Sequence, residues 1–136
     1  MIFTDLRHYI STLEKLGQLK VIEGASCDLE IGAITEMANL RSNSPAVLFD
    51  SIPGYKKGFR ILTNFLAHKT RERMVYGVSE DLTDSEAVRF WKDRLKEVKP
   101  VEPLYVENGP VKQNMMMGED VDLTKFPWPR WHQRDG

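Results

Sequence analysis

The chain has 136 residues, 41% of them apolar and 29% charged. That is long enough for one domain with a real core, and too apolar for general disorder. Nineteen basic and 20 acidic side chains leave a formal net charge of −1, which argues against a broad nucleic-acid surface or a polybasic membrane anchor. One cysteine, Cys27, excludes an internal disulfide. It reads as a small residue leading into a helix, and a reducing compartment follows. The opening stretch lacks the apolar run of a signal peptide, and no stretch approaches the ~20 apolar residues of a membrane span. The expectation is a cytoplasmic protein without a membrane segment.

The predicted elements begin with a helix. Thr4 is its expected cap, Asp5 suits the positive end of the helix dipole, and Leu6, Tyr9, Ile10, Leu13 and Leu16 form one apolar face. Gly17 is the expected stop, and a short strand follows from Leu19 to Ile22. Asp28 is the expected cap of a second helix with Ile31, Ile34, Ala38 and Leu40 on its buried face, broken at Ser42–Pro45. Ala46 to Phe49 is an unbroken apolar run of strand length, which predicts an interior strand. A turn at Ile52–Tyr55 and a strand from Phe59 to Thr63 predict a hairpin with a long loop. Thr70 is the expected cap of a short helix ending at Gly77. Thr83 and Glu86 fit a capping box, opening a helix with Ala87, Phe90, Trp91, Arg94, Leu95 and Val98 on one face and Pro100 just beyond its end.

Beyond Pro100 the texture changes. Pro103–Glu107 and Val111–Met117 are predicted to be extended, with turns at Asn108–Pro110 and Gly118–Asp120. Alternating prolines exclude regular helix from Phe126 to His132. The expected fold class is α+β. A mixed helix–strand domain would occupy residues 1–100, and 101–136 would be a linker and the first strands of a split β-barrel.

No catalytic constellation is visible. There is no GxGxxG or Walker-type loop. His8, His68 and His132 are far apart, and none has a metal-ligand spacing. His8 and His68 read as surface or structural residues; His132, beside Arg130 and among aromatics, suits a pocket wall but has no partner nearby in sequence. Lys69, Arg71 and Arg73 form the best basic patch, read first as a solvated helix face and second as an anion site. Glu119, Asp120 and Asp122 read as turn chemistry rather than a cation loop. Trp91 is expected in the core. Trp128 and Trp131 are expected to pack against other sequence or a partner, and Met115–Met117 to form an interior strand.

An ordered series of segments resembles the UbiD decarboxylase family. It runs through Asp5-Leu6-Arg7, Leu13–Lys20, Leu29-Glu30-Ile31, Pro45–Asp50, Gly54-Tyr55, Thr63-Asn64, Gly109–Asn114, Gly118–Pro127, Pro129–His132 and Asp135-Gly136. The resemblance implies the N-terminal portion of an enzyme that uses prenylated flavin mononucleotide to remove or add CO2 on aromatic or α,β-unsaturated acids. A divalent metal, commonly manganese, and potassium would accompany the flavin. Such enzymes join a mixed α/β domain, a flavin-reductase-like split barrel and a C-terminal domain, and assemble as homo-oligomers. Their catalytic Glu-Arg-Glu set and metal ligands would lie downstream, so no catalytic, cofactor-binding or metal residue is expected in this chain. His132 matches a family histidine that is not a ligand. The chain would be inactive alone. The alternative expectation is a stand-alone small subunit or interaction module, bound to a partner through Trp128–Trp131.

Overall fold

Every residue from Ala46 to Phe49 is buried, as an unbroken apolar run requires of a strand covered on both faces. In the computed structural model of the protein, which describes residues 3–135, this strand is the centre of a three-stranded sheet. The elements are α1 (Leu6–Lys15), β1 (Leu19–Glu23), α2 (Glu30–Asn39), β2 (Ala46–Asp50), β3 (Ile61–Thr63), α3 (Lys69–Tyr76) and α4 (Asp84–Glu97). β1 pairs with β2 in parallel, from Leu19 opposite Ala46 to Glu23 opposite Asp50, and α2 is the crossover between them. β3 runs antiparallel to β2, with Val47 opposite Thr63, so the predicted hairpin is present.

The alternation along β2 divides the core. Val47 and Phe49 join Ile31 and Ala38 of α2, with Ala25 and Ile52. Ala46 joins Tyr9 and Leu13 of α1. Burying side chains of this size contributes about 1.5–3 kcal/mol each, and both helices are held by these few residues. The outer ends of the expected stripes stay exposed, Leu6 on α1, Leu16 just past its end and Leu40, 87% exposed, beyond α2. Leu40 therefore does not join the buried face, because α2 ends at Asn39.

Capping differs in detail from the sequence reading. Asp5, not Thr4, caps α1, accepting a hydrogen bond from the His8 amide at 2.8 Å. His68, not Thr70, caps α3 through its Nδ1, which accepts from the Thr70 amide. Gly77 closes α3 in the left-handed region (φ +65°), where a side chain is strained. The Thr83–Glu86 capping box forms in full.

Of the basic patch only Lys69 is exposed; its two arginines are neither solvated nor open to an anion. Arg71 is fully buried and Arg73 nearly so. The Arg71 guanidinium donates to Gln18 Oε1 (3.3 Å), to the Asn64 carbonyl (3.1 Å) and to the Ser44 carbonyl. Those three residues adjoin the start of β1, the start of β2 and the end of β3, so one side chain ties one end of all three strands. Ser44 and Asn64 both carry positive φ, a conformation that costs non-glycine residues free energy. Arg71 holds the carbonyl of each. Burial draws its pKa downward, opposed by neighbouring Tyr9; arginine nevertheless keeps its charge. Arg73 donates to the Ser79 and Glu80 carbonyls, both at 2.9 Å, and pins the loop after α3.

The chain divides into two compact units, one running to Asp81 and resuming at Thr124, the other Leu82–Leu123. The second contains α4, on which Ala87, Phe90 and Trp91 are half-buried while Leu95 and Val98 are exposed. Trp91 is thus only partly covered. Neither predicted extended stretch becomes a strand. Pro103–Glu107 holds no regular element, a short 3₁₀ turn at Pro110–Lys112 overlaps the start of the second stretch, others follow at Gly118–Asp120 and Leu123–Lys125, and Met115–Met117 are exposed. An extended segment becomes a strand only where a neighbour accepts its backbone hydrogen bonds, and no described residue does so here.

Replacing Arg71 by Met should lower stability by about 2–4 kcal/mol, because the buried Ser44 carbonyl loses its donor and the Asn64 carbonyl keeps only the Ala67 amide. Arg71→Lys should recover less than half of it, since an ammonium lacks the planar fork that reaches three acceptors. Urea unfolding midpoints measure both, and a Met variant as stable as the parent would refute the tie.

Candidate functional site

The residues that the sequence left most open, Arg130 to His132, lie against α2. Their backbone comes first. The Arg130 amide donates to the Cys27 carbonyl at 2.8 Å and the Leu29 amide to the Arg130 carbonyl at 3.0 Å, forming a parallel bridge between Asp28 and Arg130. Leu29 is the residue before α2 and has φ +68°. That left-handed geometry is uncommon for leucine, and the Arg130 carbonyl takes up its amide. Asp28 was expected to cap α2. Instead Ser26 and Glu30 close the helix start, the Ser26 amide donating to Glu30 Oε2 at 2.8 Å. The Asp28 carboxylate faces Arg130, whose Nε and Nη2 lie 2.7 and 2.5 Å from Oδ1.

Trp131 follows. A Cβ added at Gly32 would meet the Trp131 carbonyl oxygen at 2.6 Å and its Cα at 3.0 Å. Only glycine at this helical position lets the two backbones approach so closely. The Trp131 side chain packs on the core formed by Ile31, Val47 and Phe49, so it covers this chain's own core rather than awaiting other sequence. Trp128 is different, being 77% exposed.

His132 completes the strap. Its Nε2 lies 2.7 Å from Glu36 Oε1, and Asp135 accepts from the His132 amide at 2.8 Å. The sequence reading found no partner for this histidine; Glu36, 96 residues earlier, is that partner. The hydrogen bond to Glu36 holds the imidazole pKa above its ordinary 6.5, desolvation opposing and the Asp135 carboxylate adding to the rise. A shallow depression of about 440 Å³ beside the strap is lined by Leu29, Ala33, Glu36, Trp131, His132 and Arg134.

This arrangement docks a segment and shows no nucleophile or ligand set. Among the described residues no cluster of His, Cys, Asp and Glu could hold a metal ion. His8 is exposed on α1, His68 is used as a cap, and Cys27 packs at the core edge, where burial pushes its thiol pKa up and so away from reactivity. The pairings Asp28–Arg130 and Glu36–His132 have no local signature. The one available signal was Gly32 inside a helix, a position that glycine weakens unless another backbone comes close.

Comparison with known proteins finds this fold as the N-terminal domain of carboxy-lyases. Residues 10–95 match the model of the 3-octaprenyl-4-hydroxybenzoate carboxy-lyase N-terminal domain, and the chain belongs to that family, the UbiD family. It is similar to a pyrrole-2-carboxylic acid decarboxylase of Pseudomonas aeruginosa, 34% identical over 97% of this chain and 28% of the relative. It is also similar to vanillic acid decarboxylase of Sedimentibacter hydroxybenzoicus, at 27% identity over 98% of this chain. The TM-score is 0.78 against the closed form and 0.72 against the open form. The chain therefore spans little more than a quarter of the length of these relatives. No helix among the described residues is long and apolar enough to cross a membrane.

Two outcomes test the strap. Gly32→Ala should lower stability by about 1–3 kcal/mol, although alanine is the better helix former, because the overlap is with backbone; the urea midpoint and the Trp131 indole resonance report it. His132 has a raised pKa in the folded state, so its contribution is complete below the ordinary value of 6.5 and is lost as pH rises through the folded value. An NMR titration of the imidazole should show the pKa falling toward 6.5 in Glu36→Gln. An unchanged titration curve would remove Glu36 as the cause.

Proposed function

We propose that this chain is the N-terminal part of a longer decarboxylase acting on an aromatic or α,β-unsaturated carboxylic acid. The match of residues 10–95 to a carboxy-lyase N-terminal domain carries this reading. The similar proteins, named for decarboxylation of pyrrole-2-carboxylic and vanillic acids, support the substrate class.

In that enzyme prenylated flavin mononucleotide, with manganese and potassium, supplies the electron sink for loss of CO2. The described residues include no His, Cys, Asp and Glu cluster that fits the divalent metal. This reading assigns flavin and metal to the remainder of the polypeptide and gives this chain no catalytic residue. Its task is positional. The strap from Arg130 to Asp135 fixes, against α2, the point from which a following domain departs. The boundary expected at residue 100 does not follow the two units, since the stretch from Thr124 belongs with the residues up to Asp81; in this reading the linker and opening of that domain, a split β-barrel, draw on 101–123, and its strands would cover the exposed Met115–Met117 and Leu123. The complete enzyme is a cytoplasmic homo-oligomer in this reading.

A second reading, a small subunit that binds a partner, draws on the same exposed Trp128 and methionine run. Intact mass from the native source separates the two. The first reading expects several times the 15.7 kDa of this chain, together with CO2 release from an aromatic acid after reconstitution with flavin and manganese. A native mass near 15.7 kDa without CO2 release would favour the subunit.

A further inference from the structure

The other face of the sheet, where α1 lies, carries a groove that the strap does not touch. It encloses about 330 Å³ and is lined by Leu6, Arg7, Ile10, Leu48, Arg60 and Leu62. Its origin is geometric. Helix α1 has ten residues and seats Tyr9 and Leu13 over Ala46, so its first turns stand beside Leu48 and Leu62 and leave an apolar floor between helix and strands.

Two cations stand at this floor. The guanidinium groups of Arg7 and Arg60 make no ion pair or hydrogen bond among the described residues. They contrast with Arg71, Arg73 and Arg130, each of which donates to oxygens of this chain. Asp5 also lines the groove, but its carboxylate accepts the His8 amide, so the helix terminus is already closed. The lining then holds two positive charges and one negative charge. Arginine is the side chain best suited to grip a carboxylate, through two parallel N–H donors. A volume near 300 Å³ is at the small end of ligand sites, too small for a nucleotide and right for one ring bearing one acid group.

We infer that the Arg7–Arg60 groove binds a small monocarboxylate with a compact apolar body, the carboxylate on the arginines and the body on Leu48 and Leu62. The inference concerns the groove alone and stands or falls independently of any decarboxylase activity.

Calorimetric titration of the full chain with sodium benzoate tests it, with benzamide as the neutral counterpart. Saturable benzoate binding at one site is expected, with affinity in roughly the millimolar range for so few contacts. Benzamide should bind at least about 10-fold more weakly, as should benzoate to Arg7→Gln/Arg60→Gln, because a charge-assisted pair is lost in each case. Both positions are exposed, so the double variant should keep the parent's unfolding midpoint, and Lys92→Gln on α4 should bind as the parent does. The Leu48 and Leu62 methyl resonances should move on binding. Equal affinity for benzoate and benzamide, undiminished binding in the double variant, or shifts confined to other residues would each overturn the assignment, as would the absence of saturable binding.

Discussion

One buried cation organises the sheet. A guanidinium without a carboxylate in contact is an expensive thing to place at a strand edge, and here carbonyl and amide oxygens do the compensating. Arg71 takes one from the loop after α1, one from the loop before β2 and one from the loop after β3. These loops are distant in sequence, and the Arg71 side chain is what the three have in common. Because two of the accepting residues, Ser44 and Asn64, sit at positive φ, the same side chain also holds unfavourable backbone in place. Helix α3 exists in this fold largely to deliver that side chain. Its capping histidine, its glycine stop and its second buried arginine fix where the helix stands.

The strap on α2 is a bond of another kind. Its charged pairs, Asp28–Arg130 and Glu36–His132, are largely solvated, and exposed pairs of this sort contribute less than about 1 kcal/mol each. Its strength lies in backbone fit, since Gly32 admits the Trp131 main chain and Leu29 hands its amide to Arg130. The charges then select register. Moving the segment by one residue would face Arg130 away from Asp28 and bring a Cβ-bearing residue of α2 under the Trp131 carbonyl.

Much of the fold could be read before the structure. The Ala46–Phe49 run needs two covered faces and has them. Thr83 and Glu86 satisfy each other's backbone within four residues, so the start of α4 was legible locally. Gly17 and Gly77 mark stops for the same reason. What failed was long-range. A charge run such as Lys69–Arg73 looks solvated because hydration is the usual fate of charge, and only the tertiary fold reveals that Gln18, Ser44 and Asn64 converge on Arg71. Asp28 looked like a cap because caps are local; its true partner is 102 residues away. The parallel pairing of β1 with β2 also has no local mark, for the two strands are joined only through a helix.

The strand expectations beyond Pro100 failed for a reason that bears on what the region is. The consecutive run Met115–Met117 is a property of the sequence, whereas a strand is a property of two segments. Without a neighbour, extended backbone keeps its hydrogen bonds with water and gains nothing from its apolar side chains, which remain exposed. The polar turns at Pro110–Lys112 and Gly118–Asp120 form regardless, since each closes within three or four residues. Local signals are thus honoured and non-local ones are not. That asymmetry separates 101–123 from the Ala46–Phe49 run, whose two covered faces lie within the described residues.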